Sequence, residues 1–174
     1  MFMTSEQMTA EQRVQKAIIA IMQNQKYVAL AGILMIGERV ITDDPSIPTA
    51  CTNGRDEMYN RDFVDKLNDA ELRFLILHES YHKLYRHMIT WQHLAKENAE
   101  LANMAMDYVI NIKLVDDNTD EFATMTGELA MGCIDPKYRD WDTALVYHDL
   151  VKNPPPQDGN GGGDGKTGIG NPDG

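Results

Sequence analysis

The chain has 174 residues, 43% of them hydrophobic and 25% charged, with a formal net charge of -11. This length allows one domain with a real core, and the composition is that of an ordinary globular protein. The acidic balance argues against general binding to nucleic acid or to an anionic membrane, both of which need clustered Lys and Arg.

The N-terminus, Met1 to Gln7, has no basic start and no apolar signal core, which points to a cytoplasmic protein. The longest apolar run, Tyr27 to Ile36, is too short to span a bilayer. Cys51 and Cys133 are far apart and form no Cys-x-x-Cys pair, so both are expected as free thiols.

In chain order, Val14, Ala17, Ile18 and Ile21 recur at helical spacing and predict an amphipathic helix from about Ser5 to Gln23. Ser5 or Thr9 would cap it. Tyr27 to Ile36 predicts a second short helix ending near Gly37. Arg39 to Thr42 reads as a strand, ended by Asp43, Asp44 and Pro45. Asn53-Gly54 lies between two short extended runs, Thr49 to Thr52 and Glu57 to Tyr59, and is a hairpin signal. A small antiparallel sheet is therefore expected in the first third.

A short helix is predicted over Phe63 to Leu67. Asp69 is a good N-cap for the next helix, whose apolar face is Leu72, Leu75, Ile76 and Leu84, running to about His87. Another long helix covers about Gln92 to Leu114 and breaks at Asp116, Asp117 and Asn118. Asp135-Pro136 marks a loop, and Trp141 to Val151 predicts a last helix. From Pro154 the composition turns to Pro, Gly and Asp, which cannot bury a core. The predicted organisation is one domain over residues 5–152 and a linker or disordered tail over 153–174.

The chemistry is concentrated in His78, Glu79, Ser80, Tyr81 and His82. Two histidines four apart on a helix share one face and can bind one metal ion. Glu79, about 100° around from His78, can reach a metal-activated water without being a ligand. Zinc lowers the pKa of such a water to about 7, and the carboxylate can take its proton and pass it to a leaving amine. Lys83 follows the second histidine, where zinc-peptidase motifs usually carry an uncharged residue, and is expected to point to solvent.

A catalytic zinc needs a third protein ligand. Asp107 and Asn111 are the strongly polar residues of the apolar stretch Met104 to Ile112, and a buried carboxylate is costly unless it is paired or bound to a cation. Asn103, Asp107 and Asn111 fall at i, i+4 and i+8, one narrow stripe from which the Asn residues can orient ligands. Asp107 is the expected third ligand. The competing reading is a carboxylate that pairs with a basic residue or reaches solvent at the helix edge. His93, Glu97 and Glu100 are weaker candidates. His87, nine residues past His78, lies about 180° around a straight helix and cannot share the metal unless the helix breaks. Tyr81 and Tyr108 read as core more readily than as oxyanion donors, and Met104 and Met106 as packing. The Gly-rich run Gly159 to Gly165 opens no helix and is not a phosphate loop.

With these residues in hand, the chain resembles the metallopeptidase-type domains of bacteria and phages that often precede a von Willebrand factor A-like domain. The resemblance is carried by Ile47 to Ala50, Asn53-Gly54, Tyr59-Asn60 with Phe63, His78-Glu79-x-x-His82 with His87, the stretch Asn103 to Asn111, and Asp135 to Tyr138. It covers about residues 10–152. It implies a zincin-like α+β fold, mainly helical, with zinc held by His78, His82 and Asp107 and with Glu79 as catalytic base. It also implies a peptide or protein substrate, a C-terminal von Willebrand factor A-like domain and an AAA-type ATPase partner. The expected function is zinc-dependent peptide hydrolysis. The alternatives are a metal-binding scaffold without protease activity and hydrolysis of a non-peptide amide.

Overall fold

The computed structural model of the chain describes residues 8–155. Ser5 and most of the Gly-rich segment lie outside them. Helix α1, Ala10–Gln23, is capped by Thr9, whose side chain accepts from the Gln12 N–H while Gln12 reaches back to the Thr9 N–H. That reciprocal pair explains why the helix begins there. The run after Tyr27 is a 3-10 turn, Val28–Leu30, followed by the single-turn α2, Ala31–Leu34. Gly37 then turns the chain at φ +78, where a Cβ would lie 1.9 Å from the Arg55 carbonyl oxygen, so only glycine fits.

Three short strands follow: β1, Arg39–Thr42; β2, Ala50–Thr52; and β3, Glu57–Asn60. The predicted hairpin is present, with β2 antiparallel to β3 around Asn53-Gly54. The sheet as a whole is mixed, not antiparallel, because β1 pairs parallel to β3 and the order is β1-β3-β2. The reason lies in residues 43–49, with Pro45 and Pro48. This connection is too long and too stiff for a tight hairpin, so β2 returns one strand away and β3 enters the gap. Register then places Arg39 opposite Glu57, and the two form an ion pair at 2.7 Å.

Helix α3 is Arg61–Lys66, and the central helix α4 is Asp69–Leu84. Asn68, not Asp69, caps α4, accepting from the Ala70 and Glu71 N–H groups while Glu71 closes the capping box. After α4 come α5, His87–Thr90, α6, Gln92–Glu97, and α7, Ala99–Asp117. The single helix expected over Gln92 to Leu114 is thus two. Asn98 leaves helical geometry at φ -153 and caps α7 by accepting from the Leu101 N–H. Two 3-10 turns, Gly127–Leu129 and Pro136–Tyr138, lead to α8, Thr143–Lys152, capped by Asp142.

Two apolar cores meet at α7. One joins α1, α3 and α4 to Ile110 and Leu114, and the other joins Ala102 and Ala105 to Leu94, Tyr138, Val146, Tyr147 and Leu150. Helix α4 is buried nearly all round from Phe74 to Lys83, as expected of a helix in the middle of a fold. Among the described residues no helix is long and apolar enough to cross a membrane.

Lys83 corrects the sequence reading: it is 5% exposed, not solvent-facing. Its ammonium pairs with Glu57 and donates to the Ile36 carbonyl oxygen at 3.1 Å. Glu57 is fully buried and also accepts from Arg39 and, at 2.7 Å, from the Tyr59 hydroxyl. This network ties the C-terminal turn of α4 to the sheet. Removing one partner of a buried ion pair strands the other charge, so Glu57→Ala is expected to cost about 3–5 kcal/mol. A urea midpoint unchanged from wild type would refute this.

Candidate metal centre

The sequence puts His78 and His82 one turn apart on α4, and α7 crosses α4 so that Asp107 faces them. His82 Nε2 lies 3.0 Å from His78 Nε2 and 3.1 Å from Asp107 Oδ1, and His78 Nε2 lies 3.4 Å from the same oxygen. Ligands of a tetrahedral zinc, at about 2.0–2.1 Å from the ion, are separated by about 3.3–3.4 Å. The triangle is within a few tenths of an ångström of that size. All three residues are buried, and together they could hold a metal ion.

The hydrogen bonds behind the triangle decide which atoms offer lone pairs. Asn111 Nδ2 donates to the Cys133 carbonyl oxygen at 2.9 Å. A carbonyl can only accept, so the Asn111 Oδ1 is the atom turned to His78 Nδ1, at 2.7 Å. His78 must therefore carry a proton on Nδ1, and in its neutral form it leaves Nε2 bare. His82 Nδ1 lies 3.1 Å from His87 Nδ1. If His82 donates from Nδ1 to His87, its Nε2 offers a lone pair to the same point. In that tautomer two imidazole lone pairs and a carboxylate oxygen converge on one point, an arrangement that could hold a cation. Asn111→Ala, which frees the His78 ring, is expected to weaken zinc binding about 10–100-fold, measured by competition with a chromophoric chelator.

The electrostatics agree. Burial works to raise the Asp107 pKa, but hydrogen bonds and charge from His78 and His82, which in the absence of a metal carry a proton on the side that faces it, outweigh it and hold the carboxyl at about 2. Burial lowers the pKa of His82, with the neighbouring His78 acting the same way and Asp107 opposing. Burial and His82 bring His87 down to about 3. Burial thus favours the neutral form of His82, and Asp107 is charged near neutral pH, the states in which they ligate metal.

His87 reaches His82 because α4 does not run on to it. The helix stops at Leu84, and Arg86 adopts a left-handed conformation, φ 53, that folds His87 back. The sequence offers no warning, since Tyr85 and Arg86 are not turn residues. His93, Glu97 and Glu100 are exposed and take no part, with the His93 ring tilted against Trp91 at 6.0 Å. Tyr81 is in the first core, and Tyr108 packs edge-on against Tyr138 in the second, at 4.9 Å. Neither Cys51 nor Cys133 is in a disulfide.

Glu79 is 1% exposed and turns toward the sheet. Burial raises the Cys51 thiol on β2, and the Glu79 charge adds to that rise. Burial and Glu57 push Tyr59 upward, with Glu79 again contributing. The carboxylate therefore lies between α4 and the sheet, adjoining His78 in sequence.

Two cavities approach the centre. One of about 340 Å3 has His78, Asp107 and Asn111 in its wall, with Thr49 on the sheet side and residues 125–133 opposite. A larger one, about 640 Å3, reaches His87 but neither His78 nor Asp107. Of the two, the smaller cavity is the one that opens on the triangle, through His78 and Asp107.

No curated protein and no solved structure matches the chain. A family model does, over residues 9–173, which carries the match past the resemblance at residues 10–152 and into the Gly-rich segment. That family is described as a putative metallopeptidase domain, and the chain belongs to it.

Proposed function

We propose that this protein is a zinc-dependent peptidase in which His78, His82 and Asp107 hold the metal and Glu79 is the general base. The observation that carries the reading is the 3.0, 3.1 and 3.4 Å triangle of two imidazole nitrogens and a carboxylate oxygen, already near the size of one face of a zinc tetrahedron. Bound zinc would supply a Lewis acid and an acidified water at an open fourth position. Every other part belongs to the chain. Asn111 holds the His78 imidazole in the ligating tautomer, and His87 sets the position of the His82 ring from its Nδ1 side. Glu79, shielded from solvent, takes the proton of the attacking water and returns it to the leaving amine. The buried Lys83–Glu57 pair fixes the helix that carries all three motif residues against the sheet.

The sheet flanks the site, and β2 is its edge strand on that side. Its residues are only 2–6% exposed, which leaves little of that edge open for an added peptide strand. Substrate contact is therefore assigned to the 340 Å3 cavity. The test is hydrolysis of a mixed peptide library by the zinc-loaded chain. Cleavage should vanish on chelation and return with zinc. Cleavage that survives chelation, or no cleavage of any peptide by the loaded chain, would overturn the reading.

A further inference from the structure

The cavity beside the triad has a floor and mouth with a definite chemistry. Phe63, Phe74, Leu75 and Leu129 line it, exposed by 2–8%, and Met125 and Met131 add to this apolar side, with Thr49 and Asn111 among the uncharged polar residues of the wall. Met131 is 78% exposed. Thioethers on unbranched stems adapt to differently shaped apolar groups. The charged residues in the wall are Asp107, committed to the triad, and Glu128, which is exposed. An apolar floor penalises any unpaired charge brought into it. A volume of about 340 Å3 is at the low end of ligand sites, about 300–1,000 Å3, which suits one side chain with its adjoining backbone.

Gly132 keeps this space open. A Cβ there would lie 2.6 Å from Met125 Cε and 3.8 Å from Asn111 Nδ2, between two residues of the wall. The segment is held over the cavity from both sides. Thr126 donates to Glu71 at 2.8 Å, and Asn111 donates to the Cys133 carbonyl oxygen at 2.9 Å.

We infer that this cavity is a specificity pocket that takes a large apolar side chain, Leu, Met or Phe, from the residue next to the bond to be cleaved. The occupant's identity as a peptide rests on the peptidase reading, whereas the apolar preference rests on the wall alone.

The experiment separates the two. The zinc-loaded Glu79→Gln chain is mixed with fluorescein-labelled host peptides differing at one residue, and affinity is read by anisotropy. Peptides with Leu, Met or Phe are expected to bind about ten-fold or more tightly than those with Ala, Asp or Lys, the usual scale for filling an apolar pocket. Gly132→Val, added to that chain, should bring the Leu and Phe peptides down to the Ala value. Should that variant fail to fold, Met131→Asp, at an exposed position, is expected to lower the Leu preference several-fold. Equal affinity for all peptides, tightest binding of Lys, or no binding at all would overturn the pocket assignment. A clear Leu preference with no hydrolysis by the wild type would instead leave the pocket standing and sink the peptidase reading.

Discussion

Glu79→Gln is expected to bind zinc as the wild type does and to lose about 10²–10⁴-fold in kcat/KM on any peptide the wild type cleaves. The amide has nearly the shape of the carboxylate, so α4 and its packing against the sheet remain. What goes is the ability to accept a proton. The site makes this loss hard to replace. Glu79 is 1% exposed, so bulk buffer has little access to its place. The neighbouring groups that feel its charge, Cys51 and Tyr59, have pKa values raised by burial, and neither is a base near neutral pH. A scaffold domain that merely holds metal would show no activity for this substitution to remove. Steady-state rates beside zinc content decide the matter, and undiminished turnover in the variant would remove Glu79 from the chemistry.

Asp107→Ala is expected to weaken zinc by more than the 100-fold upper bound for an orienting partner such as Asn111. The carboxyl sits at about 2, so it is an anion throughout the neutral range. Its Oδ1 is 3.1 Å from His82 and 3.4 Å from His78, and it is the only charged corner of the triangle. Asp107→Asn keeps the shape and a hydrogen-bonding oxygen but not the charge. It should also bind zinc poorly, while the metal-free chain keeps its fold. Zinc affinity near the wild-type value in both variants would reject Asp107 as a ligand.

The parts of this account that were legible in the sequence are those set by local spacing. The four-residue interval between His78 and His82 places both on one helix face whatever the rest of the chain does. The polar stripe Asn103, Asp107 and Asn111 within an apolar helix signalled a buried partner for the carboxylate, and Asn111 Oδ1 meets His78 Nδ1 at 2.7 Å. Thr9, Asn53-Gly54 and the α8 region gave sound boundaries because capping and turn chemistry act over three or four residues. Where distant strands or single backbone angles decide, the pattern is silent. The parallel pairing of β1 with β3 depends on where a stiff loop lets the chain return. The left-handed Arg86 that brings His87 onto His82 has no sequence signature. Lys83 looked like a surface charge because its partner, Glu57, is far away in the chain and reaches it only through the sheet.

Zinc K-edge absorption of the wild-type chain, stripped and reloaded with one equivalent, tests the centre most directly. The ligand set predicts two imidazole nitrogens at about 2.0–2.1 Å and a carboxylate oxygen at about 2.0–2.2 Å, with no sulfur. Sulfur scattering at about 2.3 Å would move the metal to the cysteines, and failure to retain zinc through gel filtration would contradict the centre itself.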